Sequence, residues 1–431
     1  EAVRTVVRVS PWSIARATVL VAALALLLRM VELASTTLWW IAIAATIGAL
    51  LRLIYVVDMP WLIFKPWLHA HSHVAMLGWV FPALVIAVLA IDDRKLPRGV
   101  LVWLALAQLL VAGMLFSFPV QGYGQVSIAC SVGHMLVAYV LLAQLWLHTR
   151  HWPRMGSRLL VRLAIAFQYL STLGVWAMGP IMTSKLAGSE WYYWSIQWFL
   201  HFQFNGWFWF AAMAIGSRWA ERHGVDVRLD PLSTVLWALS TVLTFALAVA
   251  WSERNWAVLA VNTLGVVIQF LAAWRTLMAM RKASPQVHVR TTPMMRVLIG
   301  VMLIAMAGKV AAQSAVSIPL VASMALTLRN YVIGFVHLNT LGAMSALLFT
   351  FALLRGWWDE RNPWVRGALI AFVTGFALSE VLLFLQGTLF WAGLGLLPGY
   401  YWALFGASLL LPAAVWILVF ARAPQVAPTD R

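Results

Sequence analysis

The sequence predicts an all-α polytopic membrane protein, and three observations carry that prediction. Of 431 residues, 63% are hydrophobic and only 10% charged, whereas soluble domains carry about a quarter charged residues. Apolar runs of the ~20 residues needed to cross ~30 Å of hydrocarbon recur from end to end. Basic residues crowd alternate loops, as the positive-inside rule requires of a multi-pass chain.

Thirteen runs qualify, roughly 11–30, 37–56, 68–91, 99–118, 124–147, 158–182, 191–214, 231–251, 256–276, 295–318, 330–354, 364–386 and 397–420. Their length reads as helices, because the short alternation of a membrane barrel is missing. No soluble domain fits between them. The first carries no small-residue cleavage site and reads as a span rather than a signal peptide.

The net charge of +16 is a matter of topology, not of nucleic-acid binding. The basic loops hold Arg94, Lys95 and Arg98; Arg150, Arg154 and Arg158; Arg218, Arg222 and Arg228; Arg281, Lys282, Arg290 and Arg296; and Arg355, Arg361 and Arg366. The intervening loops hold little beyond Lys65, Lys185, Arg254 and Arg329. Basic loops therefore face the cytoplasm of a bacterial-type inner membrane, and the heads of the third, seventh and eleventh runs face the periplasmic side. The N-terminus then lies outside, against the charge of Arg4 and Arg8. The single cysteine, Cys130, excludes an intrachain disulfide and a cysteine-based cluster.

Self-similarity sets the internal organisation. His73 is followed five residues later by Gly78 in HVAMLGW, His201 by Gly206 in HFQFNGW, and His337 by Gly342 in HLNTLGA. The units are 128 and 136 residues apart and head the third, seventh and eleventh runs. The simplest plan is one extra N-terminal helix followed by three four-helix arcs about a pseudo-threefold axis, with repeats near 37–147, 158–276 and 295–420.

At ~1.5 Å rise per residue, His73, His201 and His337 sit roughly 8–16 Å below the ends of their helices, where an unpartnered ring costs a few kcal/mol. The glycine, one and a half turns deeper, admits either a flat group or a neighbouring helix. Within HAHSH, His69 and His73 are spaced i, i+4 and share a helix face, while His71 points roughly 160–200° away. One helix thus offers imidazole to two sites, and one metal held by all three is excluded on a regular helix. Neutral imidazole ligates haem iron, copper and zinc. Haem suits a bilayer interior and takes one axial ligand from each of two helices. Zinc hydrolysis would require an acidic partner, and no HExxH string is present. The metal-ligating candidates are His69, His71, His73, His201 and His337, with His73 and His337 paired across one haem and His71 and His201 at a second haem or copper. His134 reads as structural. A lone histidine in a span serves equally well as a hydrogen-bonding structural residue; the repeated level on three helices favours ligation. Lys309 and Glu380, polar at membrane depth, are expected at the same level, as an ion pair or with Lys309 on a haem propionate. Gln313 and Ser314 stand beside Lys309, and Arg52 is expected at the outer surface with Lys65, Lys185, Arg254 and Arg329.

This arrangement resembles the heme-copper oxidase subunit I superfamily, whose twelve helices form three arcs with metal-ligating histidines on the second, sixth and tenth. HSHVAMLGW resembles the H-x-H-x3-L-G-W string of one oxidase branch, where it belongs to the tenth helix rather than the second. A closer likeness is to the NnrS family of haem- and copper-containing membrane proteins linked to nitric oxide stress. Its H-x-H-x4-G motif resembles His71, His73 and Gly78, and its later H-x4-G-A-M motif resembles His337, Gly342, Ala343 and Met344. The resemblance implies a haem, b-type, with copper as a second metal, and electron transfer or nitric oxide binding and detoxification, fed by an electron-donor protein or within a larger membrane complex. Two departures bear on turnover. The eighth run, PLSTVLWALSTVLTFALAVAW, lacks the His-His pair of the oxidases, and the second histidine of their tenth helix is here Asn339. The alternatives are a terminal oxidase or nitric oxide reductase with a rebuilt second metal, and a transporter or metal-free membrane scaffold.

Overall fold

The computed structural model describes residues 33–421 except 95, 228, 251, 253 and 254, with side chains of 33–36 and 323–326 left undescribed. The expected first run at 11–30, Arg4, Arg8, Lys95, Arg228 and Arg254 lie outside the described residues. Every regular element among the described residues is helical. We label them α1 Leu33–Leu53, α2 Phe64–Ala90, α3 Arg98–Gln121, α4 Gln125–His148, α5 Ser157–Met182, α6 over 190–222, α7 Pro231–Val249 with a break after Leu243, α8 Trp256–Arg290, α9 Pro293–Ala315, the short α10 Pro319–Thr327, α11 Arg329–Leu354, α12 Pro363–Trp391 and α13 Tyr400–Phe420.

Ten of these are long and apolar enough to cross a membrane, which makes the chain compatible with a multi-pass membrane protein. Helix α1 is apolar over Thr37–Leu53. Helix α6 is long but diluted by Trp, Tyr, Gln and Asn, so its membrane signal is weaker than its neighbours'. The ends of helices are set by local chemistry. Asp230, Thr292 and Asn362 each precede a proline at the first turn and accept a hydrogen bond from the backbone two or three residues on, the N-cap arrangement that satisfies otherwise orphaned donors.

The histidine-bearing helices are central. Helix α2 packs between α1 and α3, α6 against α5, and α11 between α9 and α12, while α13 packs on both α12 and α1. The inner helices also meet one another, α2 with α6 and with α11. Each loosens into π-helix directly after its histidine: Val74–Val80 after His73, Phe202–Phe208 after His201 and Leu338–Ser345 after His337. A π turn adds a residue per turn, re-aims the side chains beyond it and is common at functional sites. The π turns of α2 and α11 are joined by Trp79, whose Nε1 donates to Ser345 Oγ at 2.9 Å; that hydroxyl donates to Thr340 O at 2.8 Å.

At the opposite ends of the same three helices lies a charged clamp. Asp92, just beyond α2, accepts from Arg218 Nε (2.7 Å), His151 Nε2 (2.8 Å) and Trp152 Nε1 (2.6 Å). Asp93 accepts from Arg222 Nη2 at 2.6 Å and pairs with Arg355, just beyond α11. Asp93 has φ of 59°, a left-handed conformation that aspartate tolerates better than most residues. Arg222 bridges the two neighbouring carboxylates, lying 3.9 Å from Asp92 as well.

Candidate functional site

The segment Phe64–His73 is regular α-helix, so the predicted split of the rings holds. His69 and His73 face one way: their rings lie 4.7 Å from Tyr123 and 4.4 Å from Phe118, respectively. His71 faces the other way, onto α1. Its Nδ1 lies 2.9 Å from the Ala44 carbonyl. A carbonyl only accepts, so Nδ1 carries the proton and Nε2 presents its lone pair. Gly48 permits this approach, since a Cβ there would lie 3.0 Å from His71 Cε1. His73 is set the same way within its helix, Nδ1 on the His69 carbonyl at 2.8 Å.

His337 belongs to the neighbourhood of His71. The two rings interact electrostatically with each other and with Arg52. His337 Nδ1 lies 3.8 Å from Glu380 Oε1 on α12, too long for a hydrogen bond. That nitrogen and both Glu380 oxygens are buried without a hydrogen-bond partner. Such orphans are uncommon in native interiors and call for an explanation. Arg52, expected at the outer surface, instead reaches inward from α1: its guanidinium donates to Ser379 Oγ at 3.0 Å and to Ser408 Oγ, on α12 and α13. Arg52 is thus the group that His71 and His337 share.

His201 stands apart from both. Its Nε2 donates to the Thr241 carbonyl at 2.8 Å and its Nδ1 lies 3.2 Å from Asn205 Nδ2, which also donates to the His201 carbonyl at 3.0 Å. Both ring nitrogens are thus engaged. From Asn205 an amide chain continues: Gln313 Nε2 donates to Asn205 Oδ1 and Gln269 Nε2 to Gln313 Oε1, each at 2.9 Å. The sequence reading missed Asn205 and Gln269, although an amide inside an apolar run is itself a signal.

Lys309 and Glu380 form no ion pair. Lys309, 2% exposed, places Nζ 4.1 Å from the centre of the Trp209 ring, a cation–π contact that partly offsets desolvation, and it lies near His201. The two charges lie against different helices, Lys309 over Trp209 on α6 and Glu380 beside His337 on α11. Ser314 turns back onto the Val310 carbonyl at 2.7 Å. Arg329 stacks on Phe64 at 4.9 Å.

The three glycines take the helix-packing role. A Cβ at Gly78 would lie 2.9 Å from Trp40 Cγ and 3.0 Å from Val111 Cγ1; at Gly342, 2.5 Å from Phe376 Cζ and 2.8 Å from Ala305 Cβ; at Gly206 it would overlap Phe167. Gly78→Ala is therefore expected to overpack the α1–α2–α3 contact and cost about 1–3 kcal/mol, read as a lower unfolding midpoint in detergent. A midpoint equal to that of the parent would contradict this packing.

Among the described residues, no three His, Cys, Asp or Glu side chains converge as a metal-binding group. The polar assembly of His71, His337, Glu380 and Arg52 is instead a set of two imidazoles from different helices with one acid and one base beside them. Neither a protein-family model nor a curated protein matches the chain.

Proposed function

We propose that this chain is a multi-pass membrane haem protein, NnrS-like, working in electron transfer or in nitric oxide binding and detoxification. The observation that carries the reading is that His71 and His337, on two inner helices, share one buried polar neighbourhood with Arg52. His71 has Nδ1 fixed on a backbone carbonyl, leaving Nε2 as an electron-pair donor, and His337 has Nδ1 turned toward Glu380 Oε1 at 3.8 Å, which likewise leaves Nε2. Fixing one ring nitrogen on a carbonyl is what orients an imidazole for metal binding.

The residues fit a haem with two histidine ligands better than a copper centre. His71 and His337 would hold the iron, and Arg52 is the buried cation beside them for a carboxylate of its rim. The group would supply one-electron chemistry and a binding site for small diatomic ligands. Copper, by contrast, would require a convergent donor set, and the described residues offer none. His201 serves here as the anchor of the amide chain rather than as a ligand.

In this reading three arcs, α1–α4, α5–α8 and α9–α13, follow the N-terminal run at 11–30, which lies outside the described residues, and the π turn after each histidine marks the repeated position. The clamp end faces the cytoplasm of a bacterial-type inner membrane, as positive-inside asymmetry favours, and the histidines lie toward the periplasmic side. An electron-donor protein or a larger membrane complex completes the system.

The test is the optical spectrum of the purified protein. Sharp reduced-minus-oxidised bands of a six-coordinate b-type haem, with one iron per chain or more, are the expected result. A colourless protein with no bound metal after expression in a haem-replete host overturns the reading.

A further inference from the structure

We infer that Glu380 is the positioning residue for His337: its carboxylate accepts the Nδ1–H hydrogen bond of that imidazole and makes His337 the stronger electron donor of the two histidines. The inference rests on the haem reading above and concerns a residue that reading does not require.

Its starting point is three orphaned atoms at one place. His337 Nδ1, Glu380 Oε1 and Glu380 Oε2 are all buried and all without a hydrogen bond, and the first two are 3.8 Å apart. The side chains are only 19% and 10% exposed, so bulk water does not satisfy them. The inferred contact requires this 3.8 Å gap to shorten to hydrogen-bond length. Gly334 sits on the same turn of α11, where a Cβ would lie 3.4 Å from Glu380 Oε2 and 2.9 Å from Phe384 Cε2; it leaves the carboxylate room to lie against α11. On the other side Arg52, fixed by Ser379 and Ser408, interacts electrostatically with Glu380 and supplies its counter-charge.

Chemistry gives this contact a direction. An imidazole bound to iron through Nε2 keeps its one proton on Nδ1, which then needs an acceptor. For His71 that acceptor is the neutral Ala44 carbonyl. For His337 the acid at hand is Glu380. A carboxylate acceptor draws the proton further than a carbonyl does and raises the basicity of the metal-bound nitrogen. A haem held by His337 would then have a lower midpoint potential. The two axial ligands are thereby made unequal.

The experiment is a redox titration of the haem-loaded full chain against Glu380→Gln, which keeps volume and an acceptor oxygen but removes the charge, and Glu380→Asp, which keeps the charge. The expected result is a higher midpoint potential in Glu380→Gln, a potential moved back toward that of the parent in Glu380→Asp, and unchanged six-coordinate bands in both. A redox-difference infrared spectrum of the parent should show a carboxylate band that responds to haem reduction and is lost in Glu380→Gln. Equal potentials in parent and Glu380→Gln, or a parent spectrum with no carboxylate response, overturn the inference while the haem reading stands. If Glu380→Gln does not fold, the parent infrared spectrum decides alone. A parent protein without haem fails at the earlier step and takes both readings down.

Discussion

His71→Ala is expected to abolish the reduced-minus-oxidised haem bands, His337→Ala to do the same, and His73→Ala to leave them in place. The first two remove an imidazole that no neighbouring donor replaces. His73 lies on the opposite face of α2, its ring against Phe118 and Tyr123, and its loss costs a local hydrogen bond worth about 1 kcal/mol rather than a ligand. The same small figure applies to the His71–Ala44 bond, so loss of colour in His71→Ala would not be a folding failure. Two further measurements separate the cases. The unfolding midpoint of apo-His71→Ala should lie close to that of the apo parent. Added imidazole should restore the six-coordinate spectrum to His71→Ala, because the cavity left beside Gly48 accepts the free ring. Bands that survive in His71→Ala but vanish in His73→Ala would transfer the site to the other face of the helix.

That choice of face shows what the sequence carried and what it did not. The helical angles within HAHSH separated His71 from His69 and His73 before any contact was known, because Phe64–His73 is a regular α-helix and 3.6 residues per turn is a local property. The helices themselves follow from hydropathy for the same reason: α1 to α9 and α11 to α13 overlap apolar runs of spanning length, while the short α10 falls between two of them. Pairing across helices is not local. Whether His337 meets His71 or His73 depends on the rotation of α11 about its axis, and that is set by packing between helices. The π turns after His73, His201 and His337 are likewise invisible to a rule built on a fixed period, although the H-x4-G units marked where they occur. Lys309 and Glu380 illustrate the limit most directly. Helical rise put both at one depth, yet Lys309 stands over Trp209 on α6 and Glu380 beside His337 on α11. Depth is a single coordinate; the bearing around the bundle is the other. Asp92 and Asp93 are illegible in the sequence for a different reason: their partners, Arg218, Arg222 and Arg355, are more than 120 residues away, so no local pattern joins them.

Asp92→Asn is expected to be the most destabilising conservative change in the chain, by about 3–5 kcal/mol, the range for removing one partner of a buried ion pair. The Asp92 side chain is 5% exposed and faces Arg218, with Arg222 at 3.9 Å and the His151 and Trp152 rings as further donors. An amide in its place cannot satisfy two guanidiniums, an imidazole and an indole, and it leaves the cations uncompensated. Asp230→Asn supplies the comparison: its pair with Arg275 is 45% and 36% exposed, Asn preserves the cap of α7, and the cost should stay within about 0–1 kcal/mol. The pH dependence follows with a definite sign. Burial by itself would push the Asp92 carboxyl up, but hydrogen bonds from Arg218, His151 and Trp152 outweigh it and hold the carboxyl below its ordinary value. A carboxyl depressed on folding stabilises the native state above the unfolded carboxylate range, and that contribution disappears as pH falls through the folded value. The parent should therefore lose stability on acidification below about pH 4, and Asp92→Asn should show a flatter profile there. Unfolding midpoints in detergent between pH 3 and pH 7 measure both effects. A midpoint in Asp92→Asn within 2 °C of the parent, where about 1 kcal/mol moves a chain of this size by roughly that much, would show that the clamp carries no stability. Because Asp92 follows α2, Arg218 and Arg222 end α6 and Arg355 follows α11, the clamp fixes at one end the three helices that bear the histidines at the other. Its loss should lower the midpoint without moving the haem bands, whereas the substitutions at His71, His337 and Glu380 act on the bands or the potential.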